Sequence, residues 1–171
     1  MIRSRPFPLP DIEYRDALIS PGGTYRYWLE RRWSGADANS PYVLWCMLNP
    51  STADAHIDDP TLRRVVGFSD SWGFGRAIVV NLYAYRATNP AELRKLDADY
   101  RAGPQNEYHI EQWLGLSTMR MFVCAWGGNR IDPVPDIIQN ATRYYLMLTR
   151  GGEPSHPLYL PGNLLYPRRM P

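Results

Sequence analysis

The chain has 171 residues, of which 44% are apolar and 21% charged, and its formal net charge is +2. That balance excludes a disordered chain and supports one packed domain. No apolar run approaches the roughly 20 residues that span a bilayer, and residues 1–16 lack the apolar stretch of a secretion signal, so none is expected.

The basic side is unusual. Of 19 Lys plus Arg, Lys95 is the only lysine. Arginine suits bidentate phosphate contacts and stacking on bases, although a GC-rich genome produces the same bias. The pI of 8.6 permits nucleic-acid binding without requiring it. Cys46 and Cys124 lie in apolar runs and read as reduced core thiols of a cytosolic protein, with a disulfide between adjacent strands as the alternative. No CxxC or paired Cys/His spacing suggests zinc.

Residues 1–23 are proline-rich and read as an irregular surface arm, leaving 24–171 as a single α/β domain. Thr24 to Trp33 alternates polar and aromatic residues, which predicts a half-exposed strand at a sheet edge. Ser34 to Pro41 is a turn. Tyr42 to Leu48 is continuously apolar, as in a central strand covered on both faces. After a loop at Asn49, Asp59 caps a helix with Pro60 at its first position. Leu62, Val65, Val66 and Ser69 share its inner face, Arg63 and Arg64 its outer face, and Trp72-Gly73 ends it.

Ala77 to Tyr83 is the next buried strand, and Asn89 caps a short helix that begins at Pro90. A longer helix spans about Pro104 to Leu116, with Ile110, Trp113 and Leu114 inward. Arg120 to Trp126 is a third strand, broken by Gly127-Gly128. Asp136 to Thr142 reads as helix and Arg143 to Leu148 as a fourth strand, after which Gly151-Gly152 turns the chain into His156-Pro157. Strands alternating with helices predict a three-layer α/β fold with a mainly parallel sheet.

The chemistry-bearing residues fall where buried strands stop. Asn49-Pro50 follows the first buried strand; a stiffened Asn there positions a water or a substrate group, or else caps its own loop. Asp54, His56, Asp58 and Asp59 lie within six residues. Such carboxylates activate water, stabilise positive charge or hold Mg²⁺, while Asp59 also reads as a plain helix cap. Asn81 interrupts an apolar strand, and its amide suits the hydrogen-bonding edge of a nucleobase, or neighbouring loops. Arg86 follows closely and suits a phosphate or the Asp cluster. His156, held beside Pro157, can donate to a developing anion. His56 and His109 are given no catalytic role, and His109 is expected on a helix surface. Gly73-x-Gly75 precedes a strand and is no dinucleotide fingerprint; no GxxxxGK[ST] or GxSxG occurs.

The segments NPSTAD, DDPT.RR, NLYAYRAT, AWG and HPLY, spread over about residues 24–162, identify the chain as resembling the DUF1643 family. Four motifs in order also resemble the uracil-DNA glycosylase superfamily: Asn-Pro within Met47 to Ser51, Asn81 ending the next strand, Trp126-Gly127, and His156-Pro157. That likeness implies an α/β/α sandwich around a four-stranded parallel sheet. It implies a monofunctional enzyme that hydrolyses the N-glycosidic bond of a flipped base, without metal or cofactor. Its partner would be DNA, either duplex with a flipped base or single-stranded, and the protein a cytoplasmic monomer.

Carried onto this chain, Asn49, Asp54 or Asp58 positions water and His156 binds the departing base oxygen. Pro50, Ser51, Asn81, Tyr83 and Trp126 surround the base. Leu158 and Tyr159 wedge into the duplex, and Arg63, Arg64, Arg86, Arg168 and Arg169 meet phosphates. In uracil-specific members a tyrosine follows the motif's proline, where this chain has Ser51. The smaller residue leaves room for a substituted pyrimidine, such as the glucosylated 5-hydroxymethylcytosine of phage DNA, and so for antiviral defence. Two other readings stay open: a non-catalytic nucleic-acid or nucleotide-binding module, and a Mg²⁺-dependent hydrolase or nuclease using Asp54, Asp58 and Asp59.

Overall fold

The computed structural model describes residues 8–51, 56–161 and 166–170. Its strands are β1 (Ile12–Ile19), β2 (Arg26–Trp33), β3 (Tyr42–Met47), β4 (Arg76–Asn81), β5 (Met119–Cys124), β6 (Tyr144–Tyr145) and β7 (Arg168–Arg169). Its helices are α1 (Pro60–Ser71), α2 (Ala98–Ala102), α3 (Asn106–Gly115) and α4 (Asp136–Gln139), with short 3₁₀ turns at Pro90–Lys95, Gly127–Asn129 and Pro157–Tyr159. Among the described residues the strands form one seven-stranded mixed sheet in the order β1-β2-β4-β3-β5-β6-β7.

The middle of the sheet follows the sequence. β4, β3, β5 and β6 run parallel to one another, and the buried apolar runs of β3 and β4 have both faces covered. On one face α1 packs Leu62, Val65, Val66 and Phe68 against Val43, Trp45, Met47 and Val79. Trp45 Nε1–H donates to Ser69 Oγ at 3.0 Å, and Ser69 Oγ–H donates to Val65 O at 2.8 Å. That gives the one polar residue on the helix's inner face its partners. The other face carries Ile110 of α3, Ile138 of α4 and Leu93, packed on Leu44, Cys46, Val80 and Phe122. Asp59 caps α1 by accepting from Leu62 N–H at 2.7 Å, and Asn89 caps the 3₁₀ turn from Pro90.

The ends of the sheet depart from expectation. The four-stranded sheet becomes seven-stranded because antiparallel strands extend it: β1 and β2 at one end, β7 at the other. The segment expected as an irregular arm supplies β1. β2 is therefore not an edge strand but lies between β1 and β4. The polar half of its alternation faces counter-charges instead of water. Glu30 is buried and accepts from both Arg32 and Arg76 at 2.6 Å, and fully buried Arg31 pairs with Asp58 at 2.7 Å. Paired charges and solvent-facing charges leave the same sequence pattern. The fourth strand shrinks to Tyr144–Tyr145, and the helix expected to run to Thr142 stops at Gln139.

Cys46 and Cys124 are opposite each other on β3 and β5, free and buried. Burial pushes both thiols up, Cys124 to about 12. No helix among the described residues is long and apolar enough to cross a membrane.

Candidate functional site

The carboxyl ends of β4, β3 and β5 open into a cavity of about 390 Å³. Asn49, Ser51, Asn81, Trp126, His156, Leu158 and Tyr159 all line it, so the residues singled out from strand ends converge. Ligands of parallel α/β sheets bind at this edge.

Asn81 is the last residue of β4 and is 1% exposed. Among the described residues neither Nδ2 nor Oδ1 has a hydrogen-bond partner. Its backbone is fixed by Asn106, whose Nδ2–H donates to Asn81 O at 2.9 Å and Leu82 O at 3.1 Å. A buried amide that offers both a donor and an acceptor to a cavity is built to meet a group with the complementary pair.

Asn49 is oriented by its own amide. Nδ2 donates to Pro50 O at 3.0 Å and Ala87 O at 2.8 Å, which leaves Oδ1 as the acceptor. Ala87 N–H in turn donates to Pro50 O, so the loops after β3 and β4 are zipped together. Pro50 is part of that frame and does not line the cavity.

His156 precedes the 3₁₀ turn at Pro157–Tyr159, and its Nδ1 accepts from Leu158 N–H at 3.3 Å. The ring proton therefore sits on Nε2. Burial holds the imidazole below its ordinary 6.5, while the charge of Asp59 pulls the other way. Trp126-Gly127 positions this loop. Gly127 has φ +75°, and a Cβ there would lie 3.4 Å from His156 Cβ. Gly127 N–H donates to Pro154 O at 2.7 Å, and Trp126 Nε1–H donates to Glu153 at 2.6 Å. Arg130 beside Glu153 holds that carboxyl below its usual range.

His156 is expected to protonate below pH 6.5, as an NMR titration of its ring protons would show. With the folded value depressed, its contribution to stability is complete above 6.5 and is lost as pH falls through the folded value. A titration midpoint above 6.5 would contradict the burial described.

Other expected site residues are placed elsewhere. Asp58 does not line the cavity; it bridges Arg31 at 2.7 Å and Arg15 at 3.1 Å, stapling the loop before α1 to β1 and β2. Asp58→Ala leaves the buried Arg31 charge without that partner. It is expected to cost about 2 kcal/mol, discounted because Asp58 is partly exposed, as read by urea unfolding. Asp54 lies outside the described residues. Tyr83 faces the other side of the sheet edge, where its Oη accepts from the backbone N–H of Ile131 and Asp132 at 2.9 Å each. Arg64 spends its guanidinium on Pro157 O, Leu160 O and Pro161 O, tying the His156 loop to α1. Arg86 donates to Gly23 O at 3.0 Å. Arg63 and the β7 pair Arg168 and Arg169 are exposed. His109 is not a free surface residue, since its ring packs 4.9 Å from that of Tyr27.

The cavity also holds residues to which the glycosylase reading gave no role. Asp59, read first as a cap, also accepts from Ser51 Oγ–H at 3.0 Å and lines the cavity. Capping turns Asp59 inward while its neighbour Asp58 points to β2, a difference invisible in the Asp-Asp pair. Arg26 is buried in the cavity wall, where burial lowers it to about 10. Ile57 is exposed at the rim, as are Leu158 and Tyr159. Among the described residues no three of His, Cys, Asp and Glu come together to hold a metal ion.

The family described as "Protein of unknown function (DUF1643)" matches residues 26–158. No curated protein and no solved structure matches the chain.

Proposed function

The chain belongs to the DUF1643 family, and we propose that it is a DNA glycosylase that removes a flipped, substituted pyrimidine and leaves an abasic site. The observation that carries this reading is the pairing, in one cavity, of the partnerless Asn81 amide with the neutral His156 ring. The four parallel strands β4-β3-β5-β6, with helices packed on both faces, support the likeness to the uracil-DNA glycosylase fold.

The chemistry follows from what each group offers. Asn81 binds the hydrogen-bonding edge of the base that has left the stack. As the bond from the sugar's anomeric carbon to the base nitrogen breaks, its electron pair goes to the base, and the growing charge on the base oxygen meets His156 Nε2–H. A neutral imidazole donates to this anion without first adding a proton. The sugar becomes cationic, and Asp59 supplies opposing charge. Water held by Asn49 Oδ1 adds its oxygen to the anomeric carbon and gives up a proton to solvent; the departing base takes one back. Ile57, Leu158 and Tyr159 stand at the rim to hold the duplex open.

A cavity of about 390 Å³ lies within the range of small-molecule sites. The small Ser51 on its wall is the feature that leaves room for a substituted base, including the hypermodified pyrimidines of phage DNA, and so for a role in defence.

The test is incubation of the purified protein, with EDTA, with DNAs carrying different modified pyrimidines. Abasic sites are scored by alkaline cleavage and released bases by mass spectrometry. Release of one modified base supports the reading. Tight DNA binding with no base released from any of them would replace it with a non-catalytic binding module.

A further inference from the structure

The turn that follows His156 is gripped from outside by one side chain of α1. Before the histidine, the chain is fastened at the sheet end: Gly127 N–H donates to Pro154 O at 2.7 Å and Ser155 N–H to Met147 O at 2.8 Å. Past the histidine, the turn closes on itself. Tyr159 N–H donates to His156 O at 3.2 Å and Leu160 N–H to Pro157 O at 3.3 Å. Those bonds stiffen the turn without fixing where it stands. Arg64 fixes it. Its Nε–H donates to Pro157 O at 3.2 Å, and its Nη2–H groups donate to Leu160 O and Pro161 O at 2.8 Å each. The guanidinium thus holds carbonyls at both ends of the turn.

The residue type matters for this grip. Nε and Nη2 form one edge of a planar fork, which spans separated acceptors in a set geometry, whereas an ammonium is a single point. The Phe68 ring, fully buried one turn further along α1, lies 4.9 Å from the guanidinium carbon and backs the fork. Helix α1 also begins at Asp59, whose carboxylate lines the cavity. Asp59 and Arg64 are separated by roughly 7.5 Å along the helix axis. One rigid element therefore carries the carboxylate directly and the imidazole through Arg64.

Resting on the base-excision reading, we propose that Arg64 is the positioning residue of His156: by gripping the turn from α1, it sets the imidazole at a fixed reach across the cavity from Asp59. The role is internal to the protein, in place of the phosphate contact expected from the sequence. An arginine that points the donor at the base oxygen acts on the chemical step, where a displacement of about 1 Å costs up to a hundredfold in rate.

The test compares wild type, Arg64→Met and Arg64→Lys by NMR titration of the histidine rings, a readout that needs no turnover. His109, on α3 across the sheet, is the internal control. In both variants the His156 midpoint is expected to rise towards 6.5, because a released turn admits water to the ring while Asp59 stays in place. The His109 midpoint is expected to stay. An unchanged His156 midpoint in Arg64→Met would overturn the proposal. So would a shift in Arg64→Met that Arg64→Lys does not share, which would assign the effect to charge instead of the fork. A shift of both histidines would reduce Arg64 to general stability and overturn it too. Should Arg64→Met fail to fold, Arg64→Lys decides alone by the same shift. Single-turnover base release is then expected to fall by about tenfold to a hundredfold in the variants; release as fast as in wild type would also overturn the proposal. A selective His156 shift, found with no base released by wild type from any DNA, would remove the excision reading and leave the positioning of His156 standing.

Discussion

Replacing His156 with alanine is expected to slow base release by about two to three orders of magnitude. The Nε2–H would meet charge that develops only as the glycosidic bond breaks, so its loss falls on the chemical step and spares ground-state binding. Single-turnover rates on a modified-base duplex measure it, beside binding of the same duplex. The alanine variant also loses the Nδ1 that accepts from Leu158 N–H. His156→Asn controls for this, because an asparagine oxygen can take over that capping role while the ring's reach is gone. Both variants should be slow if the Nε2–H acts on the base; recovery in His156→Asn would reduce His156 to a loop anchor. A pH profile adds a separate check. The wild-type rate should be insensitive to pH at neutrality, because the ring is already neutral there. A change on the acid side should lie below 6.5 and disappear in both variants.

Asn81→Leu is expected to make the protein more stable and useless at once. The amide sits at the end of a buried strand, 1% exposed, with both polar atoms lacking partners. Folding strips water from that amide and returns no hydrogen bond, at a cost of about 1–3 kcal/mol. Leucine of similar size removes the cost, and neighbouring Val80, Leu82 and Leu48 are apolar. The gain should appear as a higher urea midpoint with an unchanged slope. Binding of a base-containing ligand should fall by at least about tenfold to a hundredfold, since nothing else at the end of β4 offers a donor beside an acceptor. Such opposite movement of stability and activity marks a site whose local frustration is resolved by ligand. A leucine variant that is destabilised and still binds would show that Asn81 has a structural role instead.

The middle of this molecule was legible in the sequence because burial on both faces writes a simple pattern. Tyr42 to Leu48 and Ala77 to Val80 are unbroken apolar runs, and each is followed by a polar residue that the cavity uses, Asn49 and Asn81. Asn49, Asn81, Trp126 and His156 were found by asking where such runs stop. What stayed hidden depends on pairing between distant residues. The polar positions of β2 read as solvent-facing, because nothing local says that Arg76 and Asp58 come to meet Glu30 and Arg31. β1 lay unseen in a segment whose prolines outweighed its strand pattern. Arg26 escaped for a topological reason: a strand running against its neighbour brings its beginning, not its end, to the ligand edge. Asp58 and Asp59 are adjacent and chemically alike, and only the geometry of the helix start assigns one to β2 and the other to the cavity.

Cys46 and Cys124 give the molecule a built-in stopwatch. They face each other on β3 and β5, in the middle of the sheet, each a weakly acidic thiol sealed from solvent. Thiol reagents attack the thiolate, so neither sulfur is consumed while α3, α4 and Leu93 stay packed on that face of the sheet. The pace of alkylation in native buffer therefore times the opening of that core layer.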